Sequence, residues 1–373
     1  MAPSAAGLLS AGPAGARVVV AMSGGVDSST AAALLVEAGY DVVGVTLKLT
    51  DASGTAASIG GRCCSPRDID DARATAAALG FPHYVLDHTA AFRDAVIDDF
   101  VAEHRAGRTP NPCVRCNEKL KFGPLVRFAR AVGAARLATG HYARLELGAD
   151  GPRLCRAVDR DKDQSYFLFG VTPAVLAHVT FPLGAMTKDQ VRALARRHAL
   201  PNADKPDSQQ ICFIPDGDHK AFVEARGGAG PAGDIVDESG ARLAPHTGTH
   251  RFTIGQRRGV PATGGGDRRF VLRIDPSSGR VVVGPREALS RSVMNVDDLR
   301  WTAGQAPRAW PLRCAVQIRH HAAATPAWVD APEDPGASVS VRLDEPTVGV
   351  APGQAAVFYD GDQVVGGGWI RST

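Results

Sequence analysis

Short apolar runs alternate with helical patterns along the N-terminal part of the chain. Four runs have the length and continuous hydrophobicity of buried parallel strands, at residues 17–22, 41–49, 83–86 and 136–139. Between and beside them, apolar residues recur at helical spacing, at residues 28–39, 66–80, 90–105 and 118–132. Strands that alternate with helices predict a doubly wound α/β domain built on a parallel sheet.

The pattern changes after about residue 216. Gly-rich stretches at 227–233 and 264–266 are joined there by short alternating strands, at residues 280–284, 338–343, 355–359 and 363–370. Such strands, separated by glycine and proline, predict small β domains. We therefore expect a flexible tail (1–16), an α/β catalytic domain (17–216), a small central β-rich domain (217–290) and a C-terminal β-barrel (291–373).

Composition excludes two broad classes. Of the 373 residues, 44% are hydrophobic and 22% are charged, which is typical of a folded globular protein. No apolar run approaches the roughly 18–20 residues that a membrane span needs. The first 16 residues also lack the positive start and long apolar stretch of a secretory signal. We therefore expect a cytoplasmic protein that does not associate with a membrane.

The ratio of arginine to lysine says more about binding partners than the formal net charge of +3 does. The chain contains seven lysines and 35 arginines, so its basic surface consists mostly of planar guanidinium groups, which suit phosphate. Residues 251–273 carry six arginines and one acidic residue, Asp267. This segment is either a surface that follows a nucleic-acid backbone or a solvated basic face.

Seven cysteines, at positions 63, 64, 113, 116, 155, 212 and 314, argue against a disulfide scaffold because their number is odd and no export signal precedes them. Metal binding, redox chemistry and nucleophilic thiols remain open. Cys113 and Cys116, with the pair Cys63–Cys64, give a plausible ligand count for zinc or an iron–sulfur cluster. Adjacent cysteines are unusual zinc ligands, so packing or incidental thiols account for that pair better.

The most specific signal is Ser23-Gly24-Gly25-Val26-Asp27-Ser28-Ser29, which follows a predicted strand and opens a predicted helix. Glycines let the backbone approach an anion, and serine hydroxyls and helix N-terminal amides supply donors. The segment lacks the Gly-Lys-Ser/Thr of a Walker loop. The alternative is an ordinary capped turn. Asp27 would repel phosphate unless a cation lies between them, so we expect Mg²⁺, held largely by the nucleotide, unless Asp27 only caps the helix.

Two further thiols lie in distinctive segments. Cys116 ends a proline-rich loop at residues 109–117, where neighbouring basic side chains favour the reactive thiolate. Cys212 lies in the segment 207–214, far away in sequence. Packing of Cys212 between Ile211 and Phe213 as a small apolar residue is the alternative to a reactive role.

Together these segments resemble a known family. Residues 23–29 resemble the PP-loop of ATP pyrophosphatases (the adenine-nucleotide α-hydrolase-like fold), which bind the whole triphosphate and release pyrophosphate. With the two cysteine segments, the chain resembles the tRNA-specific 2-thiouridylase family. The resemblance continues in four more segments, at residues 138–144, 162–168, 255–259 and 352–354.

The resemblance implies ATP-dependent 2-thiolation of the wobble uridine in the tRNAs for Lys, Glu and Gln. It implies that Cys116 is the nucleophile and that Cys212 carries a persulfide, and that Cys116 then either forms a disulfide with Cys212 or helps to release sulfide. The residues expected by resemblance to bind ATP are Ala21, Met22, Ser23, Gly24, Gly25, Val26, Asp27, Ser28, Leu47 and Gly140. Those expected to contact tRNA are Asn111, Pro112, Cys113, His141, Lys162, Asp163, Gln164, Arg319, His320 and Gln354.

This chemistry is consistent with the residue types. A urea-like carbonyl oxygen is a poor leaving group, whereas AMP is a good one, and a persulfide is a strong nucleophile at neutral pH. Two departures matter: Cys113 stands where many family members carry Asp, and Arg319-His320 replaces an Arg-Tyr pair. The missing Asp is a candidate acid/base group, so the route of proton transfer is open.

The resemblance also implies partners: tRNA, ATP with Mg²⁺, a cysteine desulfurase or sulfur-relay protein as sulfur donor, and no second copy of the chain. Two other functions stay open on the residues alone. An adenylating ligase such as argininosuccinate synthetase would use the same loop without thiols. A non-catalytic RNA-binding or iron–sulfur protein would retain the loop as a remnant.

Overall fold

The structure is a computed structural model that describes residues 15–50, 66–148, 151–207, 211–214, 217–261, 268–334 and 336–373. Most of the predicted tail lies outside the described residues, as do Cys63, Cys64 and the glycines at 264–266. Among the described residues, no helix is long and apolar enough to cross a membrane.

The N-terminal part is an α/β unit. Its strands are β1 (Arg17–Ala21), β2 (Asp41–Lys48), β3 (His83–Asp87), β4 (Arg136–Thr139), β5 (Arg144–Gly148), β6 (Gly151–Cys155) and β7 (Val179–Thr180). Its helices are α1 (Val26–Glu37), α2 (Pro66–Leu79), α3 (Thr89–Phe92), α4 (Asp98–Arg105), α5 (Pro112–Cys116), α6 (Phe122–Ala131), α7 (Pro173–Leu176) and α8 (Lys188–Arg197). Single π-helical turns at Arg93–Ile97 and Asn117–Lys121 join α3 to α4 and α5 to α6.

Five strands form a parallel sheet in the order β3-β2-β1-β4-β7, which confirms the doubly wound fold. The centre is β1, whose three consecutive valines, Val18 to Val20, are fully buried. Such a run fits a strand covered on both faces. From β1 the chain builds β2 and β3 on one side and then returns to place β4 on the other. The order of strands therefore reverses between β1 and β4, where α/β proteins bind ligands at the carboxyl ends of the strands.

The hairpin of β5 and β6 pairs with the C-terminal sheet, although by sequence it belongs to the predicted α/β domain. It lies within the stretch predicted as the catalytic domain, yet Cys155 at the end of β6 pairs with Gln363 in the C-terminal sheet. Arg156 N–H also donates to the carbonyl of Asp362 over 2.9 Å. The hairpin thus joins the N-terminal unit to the C-terminal sheet by main-chain hydrogen bonds.

The central part is a small β unit preceded by α9 (His219–Gly227). Its sheet has the order β10-β11-β8-β9, formed by β8 (Gly233–Val236), β9 (Arg242–His246), β10 (Phe270–Asp275) and β11 (Arg280–Gly284). Ile235, Phe252 and three valines form its apolar core. This fits the predicted small β-rich domain.

The C-terminal part is a closed antiparallel barrel, as predicted. Its strands are β12 (Ser290–Trp301), β13 (Leu312–Gln317), β14 (Thr325–Val329), β15 (Val339–Val348), β16 (Ala355–Asp360) and β17 (Gln363–Ser372). They pair in the order β12-β15-β14-β13-β16-β17, and pairing of β12 with β17 closes the ring. Closure leaves none of these six strands as an unpaired edge. Inward-facing residues such as Val341 and Phe358 are fully buried.

Candidate active site

The candidate phosphate loop joins β1 to α1 at the point where the strand order reverses. Ala21 ends β1, and Met22 N–H still donates to Val45 O over 2.8 Å. The hydroxyl of Ser28 organises the loop: it accepts from Ser23 N–H over 3.1 Å and donates to Gly25 O over 3.1 Å. Hydrogen bonds within the loop therefore fix the shape of its backbone.

Two glycines make this shape sterically possible. Gly24 has φ +71°, and a Cβ there would lie 2.1 Å from the carbonyl oxygen of Asp68. A Cβ at Gly140, just after β4, would lie 2.6 Å from Ser28 N. The loop is thus in direct contact with α2 on one side and with the end of β4 on the other. Leu47, predicted to bind nucleotide, lies near the end of β2 and is buried.

Asp27 in the loop has a cationic partner. The ammonium of Lys188 donates to Oδ1 and Oδ2 of Asp27 over 2.7 and 2.9 Å. The phenol of Tyr142 donates to Oδ1 over 2.8 Å. Burial and then the charge of Asp27 raise the pKa of Tyr142, so this hydroxyl keeps its proton. We expect Mg²⁺ beside Asp27 from the sequence, and the structure shows the ammonium of Lys188 on both oxygens of that carboxylate; the metal ion stays a prediction.

A second carboxylate extends this network toward the segment that carries Cys212. Asp207 accepts hydrogen bonds or ion pairs from Lys162 over 2.8 Å, from Lys188 over 2.7 Å and from Arg192 over 3.0 Å. Burial alone would raise the pKa of Asp207, but hydrogen bonds from Lys162 and Lys188 outweigh it and lower this pKa to about 2. Asp207 therefore stays ionised and shares Lys188 with the phosphate loop.

Lys205 and Asn202 hold the loop from the other side. Lys205 donates to Gly24 O over 3.1 Å and to the carboxylates of Asp68 and Asp71 over 2.6 Å each. The amide of Asn202 donates to Gly24 O over 3.1 Å and to the hydroxyl of Ser29 over 2.9 Å. Both side chains thus fix the backbone at the position where the Gly24 conformation is required.

Sequence reasoning missed Tyr142, Lys188, Asn202 and Lys205. One signal was available, because lysine is rare in this arginine-rich chain. Three of its seven lysines, Lys162, Lys188 and Lys205, lie in the network around the phosphate loop. A compact ammonium can approach several oxygens at once, which a planar guanidinium does less easily.

The predicted nucleophile Cys116 lies at the end of α5. Asn111 caps this helix by accepting from Val114 N–H over 3.3 Å, and Pro112 occupies its first turn. Cys116 is 5% exposed and belongs to the main apolar cluster of the N-terminal unit, whereas Cys113 on the same short helix is exposed. The two thiols of this loop therefore have different surroundings.

Arg115, between these two cysteines, has its charge compensated elsewhere. Its guanidinium lies 3.2 Å from Glu118 and 3.5 Å from Asp298, and it stacks 3.7 Å above the ring of Trp369. Asp298 and Trp369 belong to the barrel. Arg115 thus ties the cysteine loop to the barrel, and Glu118 and Asp298 compete with any thiolate of this loop for its charge.

Cys212 is half-buried and packs against the same apolar cluster that contains Cys116. Its neighbour Phe213 makes edge-to-face contacts with Phe92 and Phe100, with ring centroids 5.7 and 5.3 Å apart. Residues 208–210 before it lie outside the described residues. Both cysteines thus pack on one large cluster that extends from Val19 in β1 to Trp369 in the barrel, and their chemical roles remain predictions.

The barrel also supports the cysteine loop through residues 352–354. The amide of Gln354 donates to Thr109 O over 2.8 Å, and Thr109 N–H donates to Pro352 O over 2.8 Å. A Cβ at Gly353 would lie 2.9 Å from Thr109 N, and Gly353 has φ +89°. The side chain of Gln354, predicted to contact tRNA, thus holds the loop backbone in this structure.

His141, another residue predicted to contact tRNA, follows Gly140 at the end of β4. Its Nδ1 lies 2.8 Å from the hydroxyl of Thr139. Burial, with the nearby charge of Lys121, lowers the pKa of His141 to about 3. The ring is therefore neutral near pH 7 and can only donate or accept a neutral hydrogen bond there.

Residues 162–164, also predicted to contact tRNA, form a turn with many internal hydrogen bonds. Asp163 is buried and accepts from Ala157 N–H over 2.9 Å and from the Ser165 hydroxyl over 2.8 Å. Gln164 accepts from Tyr142 N–H over 2.9 Å. The turn is therefore fixed directly beside the tyrosine that contacts Asp27.

The pair Arg319 and His320 lies at the edge of the barrel. Arg319 is exposed, and His320 Nε2 lies 3.2 Å from Asp163 O with its ring centroid 4.4 Å from that of Phe167. A cavity of about 390 Å³ opens here, bordered by both the 162–164 turn and the barrel. Two segments predicted to contact tRNA are thus adjacent in the fold.

Metal binding finds no support among the described residues, which contain no cluster of three or more His, Cys, Asp or Glu side chains arranged around a common point. Cys63 and Cys64 lie outside those residues. The zinc or iron–sulfur site considered for them stays a prediction.

Comparisons with known proteins place this geometry in context. Three family models match consecutive parts of the chain: "tRNA methyl transferase HUP domain" at residues 16–216, "tRNA methyl transferase PRC-barrel domain" at 220–285 and "Aminomethyltransferase beta-barrel domain" at 291–370.

Proteins named tRNA-specific 2-thiouridylase MnmA are similar over nearly the whole length. The one from Rhodospirillum centenum is 50% identical, over 96% of this chain and 92% of its own. The one from Rhodospirillum rubrum is 50% identical, over 98% of each chain. The one from Rhizorhabdus wittichii is 51% identical, over 96% of this chain and 93% of its own.

Proposed function

The chain belongs to the tRNA-specific 2-thiouridylase family, and we propose that it replaces O2 of a tRNA uridine with sulfur, using ATP. The observation that carries this proposal is a phosphate loop at the carboxyl end of β1, held by Ser28, in a chain whose Cys116 and Cys212 both pack on its large apolar cluster. Methyl transfer, which the names of the matched domain families mention, would use neither a triphosphate loop nor paired thiols. An adenylating ligase would use the loop alone.

We propose that ATP binds at the end of β1, with its phosphates on the loop at residues 22–28. Amides of the loop and of the α1 N-terminus supply donors there, and the helix dipole favours an anion. The remaining residues predicted for ATP, Ala21, Leu47 and Gly140, border this loop from β1, β2 and β4. Lys188 and Lys205 add positive charge on two sides of it.

Mg²⁺ enters this scheme as part of the nucleotide. Both oxygens of Asp27 already accept from Lys188, and one also accepts from Tyr142, so this carboxylate has little capacity left for a metal ion. We infer that the phosphates themselves supply most ligands of the ion, which Mg²⁺ commonly accepts. Its chemistry there is to offset phosphate charge.

In the first step, O2 of the uridine attacks the α-phosphorus of ATP, and pyrophosphate leaves. This converts a carbonyl oxygen into part of AMP, which leaves readily. The network of Lys188, Asp27 and Asp207 positions the loop at the triphosphate for this step. Electrostatic stabilisation by preorganised donors is the contribution that this chain's own residues make.

In the second step, the outer sulfur of a Cys212 persulfide attacks C2 of the adenylated base, and AMP leaves with O2. The thiolate of Cys116 then attacks the inner sulfur of Cys212, which breaks the S–S bond and leaves the transferred sulfur on C2. The products are 2-thiouridine and a Cys116–Cys212 disulfide. An external thiol reductant must then regenerate the two thiols.

The identity of the partners is also part of the proposal. We propose the wobble uridine of the tRNAs for Lys, Glu and Gln as substrate, and a cysteine desulfurase or sulfur-relay protein as the donor that loads Cys212. The residues facing the tRNA would be Asn111, Pro112, Cys113, His141, Lys162, Asp163, Gln164, Arg319, His320 and Gln354. Two of them, Asp163 and His320, line the cavity between the 162–164 turn and the barrel, which supports their part of this assignment. We further propose a cytoplasmic protein that acts as a monomer.

The decisive experiment combines purified protein, an unmodified tRNA transcript, Mg-ATP, a persulfide donor and a thiol reductant. We expect 2-thiouridine in digested tRNA by mass spectrometry, with AMP and pyrophosphate formed in equal amounts. AMP formation without thiolated uridine would instead support an adenylating ligase with another acceptor. No ATP cleavage at all would contradict both.

Replacing Lys188 with methionine should weaken ATP binding more than tRNA binding. Loss of the ammonium leaves Asp27 without its cationic partner beside the incoming triphosphate, whereas Asp207 keeps Lys162 and Arg192. Because charge-assisted hydrogen bonds contribute about 1.5–3 kcal/mol, we expect the KM for ATP to rise at least about tenfold. Steady-state kinetics with each substrate varied in turn provides the measurement.

The matched variant for this test is Lys162→Met, which removes another lysine bound to Asp207 but not to Asp27. Its predicted partner is tRNA, so the KM for tRNA should rise while the KM for ATP changes less. A larger rise in the KM for ATP in Lys162→Met than in Lys188→Met would contradict the assignment of Lys188.

A further inference from the structure

Three arginines from separate segments converge on one cavity at the junction of the central unit and the barrel. The cavity has a volume of about 410 Å³. Arg257 reaches it from the central unit, Arg286 from the connection that follows β11, and Arg319 from the segment just after β13. Among the described residues that line it, none is acidic.

These guanidinium groups differ from their neighbours in having no partner within the described part of the chain. Nearby Arg251 pairs with Glu224, and Arg242 lies 2.7 Å from Asp234. Like charges that converge repel one another unless an anion lies between them. The arrangement is therefore that of an anion site and differs from a basic face that internal ion pairs neutralise.

The backbone around this cavity is held in place. The side chain of Gln256 accepts from Thr253 N–H over 3.1 Å and donates to Arg258 O over 2.7 Å, so it braces the turn that presents Arg257. Gly349 has φ +88°, and a Cβ there would lie 3.3 Å from Nη1 of Arg319. The glycine thus leaves room for the Arg319 guanidinium beside the barrel backbone.

The remaining lining residues indicate what accompanies the anion. Ile254, Phe270, Leu289 and Val348 give the cavity apolar walls between the three charges. A sugar or base attached to a phosphate would contact such walls, and an aromatic side chain can stack on a base. The volume also exceeds what a single phosphate group fills.

We propose that Arg257, Arg286 and Arg319 form a binding site for the phosphodiester backbone of the tRNA substrate. This inference rests on the proposed function, and it assigns to Arg257 and Arg286 a role that the candidate site does not include. The three arginines come from the central unit, the barrel and the connection between them. RNA bound to all three would therefore fix the orientation of the central unit relative to the barrel. Phosphate contacts of this kind position RNA without reading its sequence.

The test compares two double variants that each remove two charges. Arg257→Gln with Arg286→Gln removes two of the three arginines of the site. Arg280→Gln with Arg308→Gln is the matched control, because both are exposed arginines that do not line the cavity. Affinity for an unmodified tRNA transcript is measured by fluorescence anisotropy over a series of salt concentrations.

We expect the site variant to raise the Kd at least about tenfold near 0.1 M salt. The slope of log Kd against log salt concentration should fall by about two, because two phosphate contacts are lost. Its KM for tRNA should rise while kcat at saturating tRNA stays near that of the wild type. The control should change Kd less than about twofold, since distant surface charges are largely screened. Equal changes in Kd and in salt slope for the two variants would overturn the proposal.

Two further readouts distinguish an RNA site from a free-anion site and from a failure of the proposed function. Inorganic phosphate could raise the melting temperature of the wild type but not of the site variant, while both proteins bind tRNA with the same affinity. In that case the site binds a free anion and the RNA assignment is wrong. If the wild type forms no 2-thiouridine, the proposed function fails. An active wild type whose tRNA affinity is unaffected by the site variant contradicts only this inference.

Discussion

Replacing Cys212 with alanine should abolish 2-thiouridine formation while tRNA-dependent cleavage of ATP to AMP and pyrophosphate continues. Removal of a covalent sulfur carrier should lower the rate at least about 1,000-fold, the scale found when an enzyme loses its nucleophile. The phosphate loop contacts other residues, such as Ser28 and Lys205, and does not depend on this thiol. The measurement is mass spectrometry of digested tRNA beside a pyrophosphate-release assay.

The variant Cys116→Ala separates the two thiols. Cys212 can still be loaded with persulfide and attack C2, so without added reductant the sulfur label should stay in a disulfide that joins Cys212 to the tRNA, and no free 2-thiouridine should form. In Cys212→Ala no such label should form. Retention of the label on Cys212→Ala, or full thiolation by either variant, would contradict the proposed roles.

Cys314→Ala is the matched control, because it removes a cysteine from the barrel core. Burial raises the pKa of Cys314 to about 12, so this thiol is protonated and unreactive near neutral pH. The substitution should lower the melting temperature slightly and leave thiolation unchanged. Equal losses in all three variants would indicate a general effect on folding.

The sequence predicted the α/β unit well because β1, β2 and β4 are largely buried, whereas β3, at the edge of the sheet, is only partly buried and the expectation of a buried strand there is wrong. A run such as Val18 to Val20 is apolar at every position, which distinguishes it from the helices on either side. The phosphate loop was also predictable, since a glycine pair and serines between a strand and a helix are typical of an anion-binding turn. Short strands that alternate with glycine and proline likewise predicted small β domains, whereas the pairing of β12 with β17 that closes the barrel is shown only by the structure.

Contacts between distant segments were not predictable. The hairpin of β5 and β6 shows alternation that fits any half-exposed pair of strands, and only the fold shows that it joins the barrel at Gln363. The pairing of Lys188 with Asp27 spans 161 residues, and no local pattern records it. Charge repulsion between Asp27 and phosphate predicts Mg²⁺ there and gives no indication of Lys188, whose position depends on the tertiary structure.

Cys116 and Cys212 also show the difference between what a local segment indicates and what only the tertiary structure shows. Each lies in a distinctive local segment, so each could be singled out. Their shared apolar cluster depends on Phe213 packing against Phe92 and Phe100 on the π-interrupted helical stretch from α3 to α4. The contacts of Phe213 depend on how the segment that carries Cys212 packs against α3 and α4, and no local sequence pattern indicates that packing.

Substitution of Gly24 by alanine should disable the ATP step. The Cβ would lie 2.1 Å from the backbone oxygen of Asp68, and the residue has φ +71°, where alanine is strained by roughly 1–2 kcal/mol. The contact is with backbone, so the loop itself must shift. Because a displacement of about 1 Å in a reacting geometry costs on the order of 100-fold, kcat/KM for ATP should fall by at least that factor.

The control that isolates the steric contact is Gly39→Ala. Gly39 has φ +79°, nearly that of Gly24, but nothing lies within 4 Å of the added Cβ. It should therefore show the conformational cost alone, as a lower melting temperature with normal pyrophosphate release. If Gly24→Ala melts no lower than Gly39→Ala and still cleaves ATP at the wild-type rate, the loop tolerates the shift and does not bind the triphosphate as proposed. A Gly24→Ala protein that folds but no longer cleaves ATP supports the assignment, because the main change is then the position of the loop backbone.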